Sequence, residues 1–497
     1  MQWVRGAGLV LGVPLILLIG LVIVAFVIRV VMIEMQGPAV DEEHLAAKKI
    51  YLEQLQPGVE KPFNIVLIFF DDLGWGDLSS YGNPYIETPH IDALAGEGLR
   101  MTNFYSASPV CTPSRAALLT GRFPPRTKTD RHVFFNDYHL VGFGRRMLGL
   151  ANELPKEEIT LAEILQQVGY RTHMVGKWHL GTRAGYRPTD FGFDNWFGVL
   201  YSNDMYPFDL YENDEVIIED RREGGPFSGE RDELRPLPGQ GIDQTELTEM
   251  YTDRAVEYLE SQSDDPFFLY VAHSFPHVPH YPSRDHAGTS KGGTYGDVVE
   301  DLDRSTGAIV AALDRLGLRE NTLVIVSSDN GADYTGSAGR LRGRKQEILE
   351  GGQRVPMVLS WPGRIPAGKV TDQMAMNTDI FPTVLEIMGI ALPQDRIIDG
   401  RNIGSTLFSV FSDTASYDFL YYFPTTNPLP GAVRNKEFKL TWAMEDYGRA
   451  REHLSRMSGT EAHDVMNLYP EVFQRLRDEL AAKRKSVANN PRGWLED

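Results

Sequence analysis

The sequence predicts an α/β fold with a large, mostly parallel central sheet flanked by helices. Three observations carry that expectation. Unbroken apolar runs of strand length occur at 64–70, 266–272 and 322–328, with a fourth strand-like segment at 170–175. Strands apolar on both faces belong to sheets covered on both sides. Two of these runs end in hard oxygen donors, Asp71-Asp72 and Asp329-Asn330, and ligands of open α/β sheets bind outside the carboxyl ends of strands. At 497 residues and 42 % hydrophobic, the chain can bury a large core, or a core plus a subdomain.

Taken from the start, Ala7 to Ile28 is apolar apart from glycines and Pro14, with Arg5 and Arg29 as flanks. About 20 such residues can span a bilayer as a helix. A cleaved signal peptide is the competing reading, but its apolar core is usually about 7–15 residues, and no small-x-small site closes this run. The expectation is an uncleaved signal anchor over 1–33 that makes the membrane a partner. A spacer over 34–60 contains an amphipathic helix from Asp41 to Gln56, and the folded part is expected outside the cytoplasm, in a bacterial periplasm or at the cell surface. The net charge of −19 excludes general nucleic-acid binding. The single cysteine excludes an intramolecular disulfide, and no Asn-x-Ser/Thr sequon occurs.

In the expected catalytic domain, 61–413, Asp71 and Asp72 follow the first strand. Adjacent carboxylates there are costly unless a cation sits between them. Asp329-Asn330 ends the 322–328 strand in the same way, and this pairing points to a divalent metal of the Ca²⁺ or Mg²⁺ kind. Cys111, the one cysteine, precedes Pro113 and an Ala-Ala-Leu-Leu helix that Gly121 closes. A helix N-terminus favours an anion, and Arg115 shares that face. A buried structural cysteine is the alternative. Leu161 to Val168 reads as a helix, and Leu210 to Ile218 as a hairpin turning at Asn213-Asp214 within a polar 209–241 region that would lie over the site. The cations Arg126, Lys128, Arg131, Arg145 and Arg146 read as a solvated loop or as a greeting surface for an anion. His273, His277 and His280 follow the 266–272 strand, but Pro276 and Pro279 break the helix that their spacing would need as a zinc site. A helix is expected from about Tyr295 to Leu316, and another starts at Asp379. Beyond about Thr414 the chain changes to strand-like pieces, 419–423 and 438–442, and a charged helix over 471–485, the expected subdomain 414–497.

Cys111-Thr-Pro-Ser-Arg115, followed by Ala-Ala-Leu-Leu-Thr-Gly-Arg122, resembles the signature of the type I, formylglycine-dependent sulfatases. Gly176-Lys177-Trp178-His179-Leu180-Gly181 resembles the family's second motif, and Tyr201-Ser202-Asn203-Asp204 its arylsulfatase branch. Pro276-His277-Val278-Pro279 and Lys345 five residues before Glu350-Gly351-Gly352 continue the match, with Gln346 and Glu347 in place of small residues. The resemblance covers roughly residues 62 to 490. It implies an alkaline-phosphatase-like fold with a small C-terminal antiparallel sheet and helix.

The resemblance further implies a chemistry. Cys111 would be oxidised to formylglycine by a maturation enzyme, and one Ca²⁺ would be bound by Asp71, Asp72, Asp329 and Asn330 beside it. Arg115 and Lys177 would hold the sulfate. Asp329 would take a proton from the attacking hydroxyl, and His277 and Lys345 would stand on the leaving-group side. His179 would deprotonate the second hydroxyl so that sulfate leaves. The expected substrate is a small or carbohydrate sulfate ester. The alternatives are a phosphate or phosphonate monoester hydrolase of the same fold, and a membrane-anchored, non-catalytic binder of sulfated glycans.

Overall fold

The computed structural model describes residues 21, 24, 38–56, 62–136, 139–221, 241–261, 265–409, 417–446, 449–458 and 460–495. Its main sheet contains β1 (Asn64–Phe70), β2 (Leu99–Tyr105), β3 (Arg171–Lys177), β4 (Asn195–Val199), β5 (Leu210–Glu212), β6 (Glu215–Ile218), β7 (Phe267–Ala272), β8 (Thr322–Ser328), β9 (Arg354–Ser360), β10 (Lys369–Thr371) and β11 (Ala375–Met376). The spatial order is β10-β2-β9-β8-β1-β7-β3-β4-β5-β6, with β11 beside β2.

β1 shows why the sheet is buried. Its side chains alternate between faces, and the two sets enter different cores. Ile65, Leu67 and Phe69 join one apolar cluster, and Val66, Ile68 and Phe70 join the other. Burying those six side chains contributes on the order of 10 kcal/mol before chain entropy is charged.

The sheet is mixed, which corrects the expectation of a mostly parallel one. β8, β1, β7, β3 and β4 run parallel as neighbours. β9 is antiparallel to both β8 and β2, and the β4–β5–β6 edge is antiparallel. The physical reason is the connection after β8. Residues 329–353 return over the carboxyl edge without a helical crossover, and a neighbour that returns directly must run antiparallel.

The parallel core brings the ends of β1, β3, β7 and β8 to one edge, so Asp71-Asp72, Lys177–His179, His277 and Asp329-Asn330 leave the sheet together. The predicted hairpin forms from β5 and β6, with Asn213 at φ 55 in its turn. Gly176 lies next to Lys177 with φ 104, and a Cβ there would stand 1.9 Å from the Ala272 carbonyl oxygen. That contact explains the glycine between two closely spaced parallel strands.

Helix α1 (Glu42–Gln54) is capped by the Asp41 side chain. The segment Leu161–Gln167 begins with a Thr160/Glu163 capping box. After the main sheet come β12 (Leu420–Tyr422), β13 (Ala432–Arg434), β14 (Phe438–Asp446) and β15 (Arg449–Arg456), an antiparallel sheet in that order. The helix Pro470–Asn489 buries Leu476 and Leu480 against Val433, Leu440 and Leu454 of this sheet.

The membrane anchor expected over 1–33 is not found among the described residues. No helix among the described residues is long and apolar enough to cross a membrane. The run Ala7 to Ile28, apart from Leu21 and Val24, lies outside the described residues.

Candidate active site

Cys111 opens helix α2 (Cys111–Thr120), every residue of which is buried. The preceding Val110 is extended, and Gly121 at φ 69 ends the helix with its N–H on the Ala117 carbonyl. The Cys111 Sγ lies 3.3 Å from Asp71 Oδ1. Burial, then the Asp329 and Asp71 charges, hold its thiol well above the ordinary range, so the bare side chain is a protonated thiol and a poor nucleophile.

Two cations face this sulfur's surroundings. Arg115 Nε donates to Asp329 Oδ2 at 3.0 Å, and Nη2 lies 2.8 Å from the same oxygen. Lys177 Nζ is 2.6 Å from Asp71 Oδ2 and donates to Ser202 Oγ at 2.7 Å. On the Asp72 side, Lys345 Nζ is 2.7 Å from Oδ2, and His277 Nε2 is 3.8 Å from the same atom. Burial opposes ionisation of Asp71, but Lys177, His277 and Arg115 overcome it and hold the carboxyl well below the usual range. For Asp329, burial and the adjacent Asp71 push the carboxyl up to about 6 against Arg115 and Lys177. Burial also works against a charged Lys345, yet Asp72 raises its ammonium well above the ordinary value.

The fit to a divalent cation can be judged from the donors. Asp71, Asp72, Cys111 and Asp329 each offer an atom, all within 4.8 Å of one another and all buried. Asn330 Nδ2 donates to Asp72 Oδ1 at 2.7 Å, while its Oδ1 is buried with no hydrogen-bond partner among the described residues. Such an orphaned acceptor beside three carboxylates suits a hard cation with oxygen ligands.

His179 Nε2 lies 3.0 Å from the Phe134 carbonyl oxygen, a contact that makes it the N–H donor. Its Nδ1 is buried without a hydrogen-bond partner among the described residues and is left as the lone-pair nitrogen. Burial, then Lys177 and Arg115, lower its pKa well below the ordinary value, so it is neutral. Asp72, His179 and Gln346 all adopt positive φ, at 68, 58 and 74. Left-handed backbone in such residues is enriched at functional sites, at a cost on the order of 1 kcal/mol each.

The residues selected for the reaction therefore converge, whereas the peripheral histidines do not. His273 is buried against Phe70 and Tyr251, and burial lowers it to about 3. His280 Nε2 contacts the Pro276 carbonyl oxygen at 3.0 Å. Two participants were missed as site residues, Ser202 on Lys177 and Asn203, whose Oδ1 accepts from His277 Nδ1 at 3.1 Å. Their signal was available in Tyr201-Ser-Asn-Asp, directly after β4 at the same sheet edge.

Comparison with known proteins decides the family. The residue pattern named Sulfatase matches 63–390. The chain belongs to the sulfatase family. This family comprises sulfuric ester hydrolases. A second pattern, the C-terminal part of N-sulphoglucosamine sulphohydrolase, matches 344–486 of this sulfatase. It is 40 % identical over 366 residues to dog (Canis lupus familiaris) N-acetylgalactosamine-6-sulfatase, covering 70 % of this chain. The match spans 66 % of the dog enzyme, just under two thirds of its length. Rat (Rattus norvegicus) steryl-sulfatase is 34 % identical and 72 % of each chain is covered. Among solved structures, a Bacteroides thetaiotaomicron sulfatase from the metabolism of multiple glycosaminoglycans has a TM-score of 0.74 at 28 % identity, with 86 % of this sulfatase and 100 % of that chain covered. The phosphonate monoester hydrolase of Agrobacterium radiobacter shares the fold alone, with a TM-score of 0.60 at 18 % identity, covering 85 % of this chain and 96 % of its own.

Proposed function

We propose that this sulfatase hydrolyses a carbohydrate sulfate monoester, using formylglycine made from Cys111 by a maturation enzyme and one Ca²⁺. The observation that carries the reading is the arrangement around the Cys111 sulfur, with Arg115 and Lys177 on the Asp71/Asp329 side and Lys345 and His277 on Asp72. A sulfate ester needs its oxygens held by positive charge and its leaving oxygen protonated, and the two cationic pairs divide that work. The carbohydrate part of the reading is supported by the dog relative, an N-acetylgalactosamine-6-sulfatase.

When formed, the aldehyde hydrate would supply the attacking hydroxyl, and the cation would neutralise charge on the sulfate oxygens. Asp71, Asp72, Asp329 and the Asn330 side-chain oxygen would hold that cation. Arg115 and Lys177 bind and orient the anion, with Ser202 fixing the lysine ammonium. Asp329 is suited to accept a proton on a carboxylate oxygen. His277, steadied through Nδ1 by Asn203, and Lys345 deliver a proton to the departing alcohol oxygen. His179 takes a proton at Nδ1 when sulfate is released. Over the whole reaction, water is added across the S–O bond and gives the alcohol and sulfate.

The test is the mass of the peptide carrying Cys111, together with rates on 4-nitrophenyl sulfate and 4-nitrophenyl phosphate. The expected result is a mass loss matching conversion of the thiol to an aldehyde, with turnover of the sulfate far above that of the phosphate. An unmodified cysteine in protein that still releases sulfate would overturn the formylglycine part. Faster turnover of the phosphate would overturn the substrate class.

A further inference from the structure

Five cations in the stretch between Arg122 and Arg146 take no part in the chemistry above, and they have different fates. Arg126 is buried on Asp399 at 3.1 Å, and Arg145 donates to the Ala151 carbonyl at 3.1 Å. Both hold the fold together. Arg131 is largely exposed beside Asp130. Lys128 and Arg146 instead line a cavity of about 300 Å³ together with Lys156, Arg183 and Tyr186.

This cavity is positive in a chain whose net charge is −19. Its one lining carboxylate, Glu153, lies 3.6 Å from Arg183 Nε. Lys128 Nζ is 3.7 Å from Glu157 Oε1, which Arg492 already holds at 3.0 Å. Lys156 has no carboxylate partner among the described residues and rests its ammonium 4.8 Å above the Tyr186 ring. Salt screens remote acids beyond about 8–10 Å, so an anion entering here meets mainly the local cations.

The cavity is also tied to the reaction centre. Arg183 follows His179 by four residues, at most about 14 Å of extended chain. Leu154, beside Glu153, donates its N–H to the Leu180 carbonyl at 2.7 Å. Arg183 lines a second cavity as well, of about 490 Å³, with Tyr201, Tyr206, Tyr211, Asp209 and Asp220. The Tyr201 ring centroid is 6.5 Å from that of His179, and the next residue, Ser202, holds Lys177. Aromatic faces with carboxylate acceptors suit a sugar ring, which offers C–H faces and hydroxyl donors. The two cavities share Arg183, and Tyr201 of the aromatic, acidic one stands beside His179.

We propose that the cationic cavity is an accessory subsite for a second anionic group, a sulfate or a carboxylate, of an oligosaccharide whose scissile ester reaches Cys111 past the aromatic cavity. The proposal rests on the sulfate-ester reading for what binds at Cys111, but its test needs no turnover.

Calorimetric binding to the full chain carrying Cys111→Ala separates the two. The probes are a hexasaccharide alternating 6-sulfated N-acetylgalactosamine with a uronate, its desulfated counterpart, and N-acetylgalactosamine 6-sulfate alone. The expected result is hexasaccharide binding at least tenfold tighter than the monosaccharide. Adding Lys156→Ala should weaken the hexasaccharide about tenfold, the equivalent of one charge-assisted contact, and leave the monosaccharide and the melting temperature unchanged. If the desulfated hexasaccharide keeps its Lys156 dependence, the group bound is the carboxylate; if it loses the dependence, the group is sulfate. Hexasaccharide affinity untouched by both Lys156→Ala and Lys128→Ala overturns the subsite. Lys156-dependent binding without sulfate release by the Cys111-bearing chain keeps the subsite and overturns the hydrolase reading.

Discussion

Lys345 and Lys177 each neutralise one carboxylate of the candidate metal site, at 2.7 and 2.6 Å, yet they are proposed to act at opposite ends of the substrate, and kinetics can tell them apart. Replacing Lys345 with alanine should lower kcat/KM by about 10²–10³, the usual size of losing one proton donor or charge stabiliser. The loss should grow with the leaving-group pKa across a series of aryl sulfates, because only the departing oxygen needs this lysine. Lys177→Ala should cost a similar factor that is flat across the series. Equal slopes for the two variants would remove Lys345 from the leaving-group side. At this scale the sequence was informative where a motif names a residue. Cys111, Arg115, Lys177, His179, His277 and Lys345 all lie in distinctive runs. Ser202 and Asn203 lie in the Tyr201-Ser-Asn-Asp run, but the run does not say which lysine or histidine they face, and the fold supplies that.

Asp77 shows how elements, rather than single residues, hold the loop after β1 that carries the candidate metal ligands Asp71 and Asp72. Its carboxylate accepts from Gly74 N at 2.7 Å, from Ser337 N at 2.8 Å and from Tyr295 Oη at 2.5 Å, joining that loop to helix α3 (Gly293–Arg315) and the 332–339 loop. Burial pushes this carboxyl up to about 7, against the hydrogen bonds that lower it. The folded state thus keeps a proton that an unfolded Asp has released above about 3.9. This contribution to stability is full at about pH 4 and is lost as pH rises through 7, with an upper bound of about 4 kcal/mol. Melting temperatures of Asp77→Asn should therefore fall less steeply between pH 4 and 8 than those of the parent, and parallel slopes would show that Asp77 stays ionised in the fold. Gly176→Ala acts on a strand pair: the 1.9 Å approach to the Ala272 carbonyl forces β3 away from β7. It should cost about 3 kcal/mol or more, read as a lower denaturant midpoint, and reduce turnover by displacing Lys177. Strands β1, β3, β7 and β8 were legible from their apolar runs, the first helix from Asp41, and the end of α2 from Gly121. Strand direction was not. Arg354–Ser360 reads as apolar in either sense, and only the return of 329–353 makes β9 antiparallel.

Across the whole molecule, the C-terminal sheet grips the loop that carries Lys345. Lys439 of β14 is fully buried, and its Nζ reaches the Ile348 carbonyl at 2.8 Å, Glu350 Oε1 at 3.1 Å and Glu461 Oε1 at 2.9 Å. The Glu350 carboxylate also accepts from Tyr105 and Tyr422, at 2.8 and 2.6 Å, so one acid links β2 of the main sheet to β12 and β14 of the small one. The same loop reaches back to the cysteine, with Gln346 N donating to the Pro109 carbonyl at 2.9 Å. Burial resists the charge on Glu350, but Lys439, Arg434 and Arg354 hold it down to about 2. That stability is present above the unfolded carboxylate range near 4.5 and is lost as pH falls toward 2. None of this was visible in the sequence, where a lone Lys439 in a strand and Glu350 in a glycine-rich turn carry no sign of meeting. Lys439→Met keeps the length and removes the charge, leaving Glu350 and Glu461 buried with one cation fewer. A broken buried pair costs about 3–5 kcal/mol, so the melting temperature should drop by several degrees. Turnover of the surviving folded protein should fall as well, because the Lys345 loop loses its hold at Ile348. Unchanged melting would mean that the buried charges contribute no net stability, and that the apolar cluster of Tyr105, Phe123, Leu420 and Phe423 alone joins the two sheets.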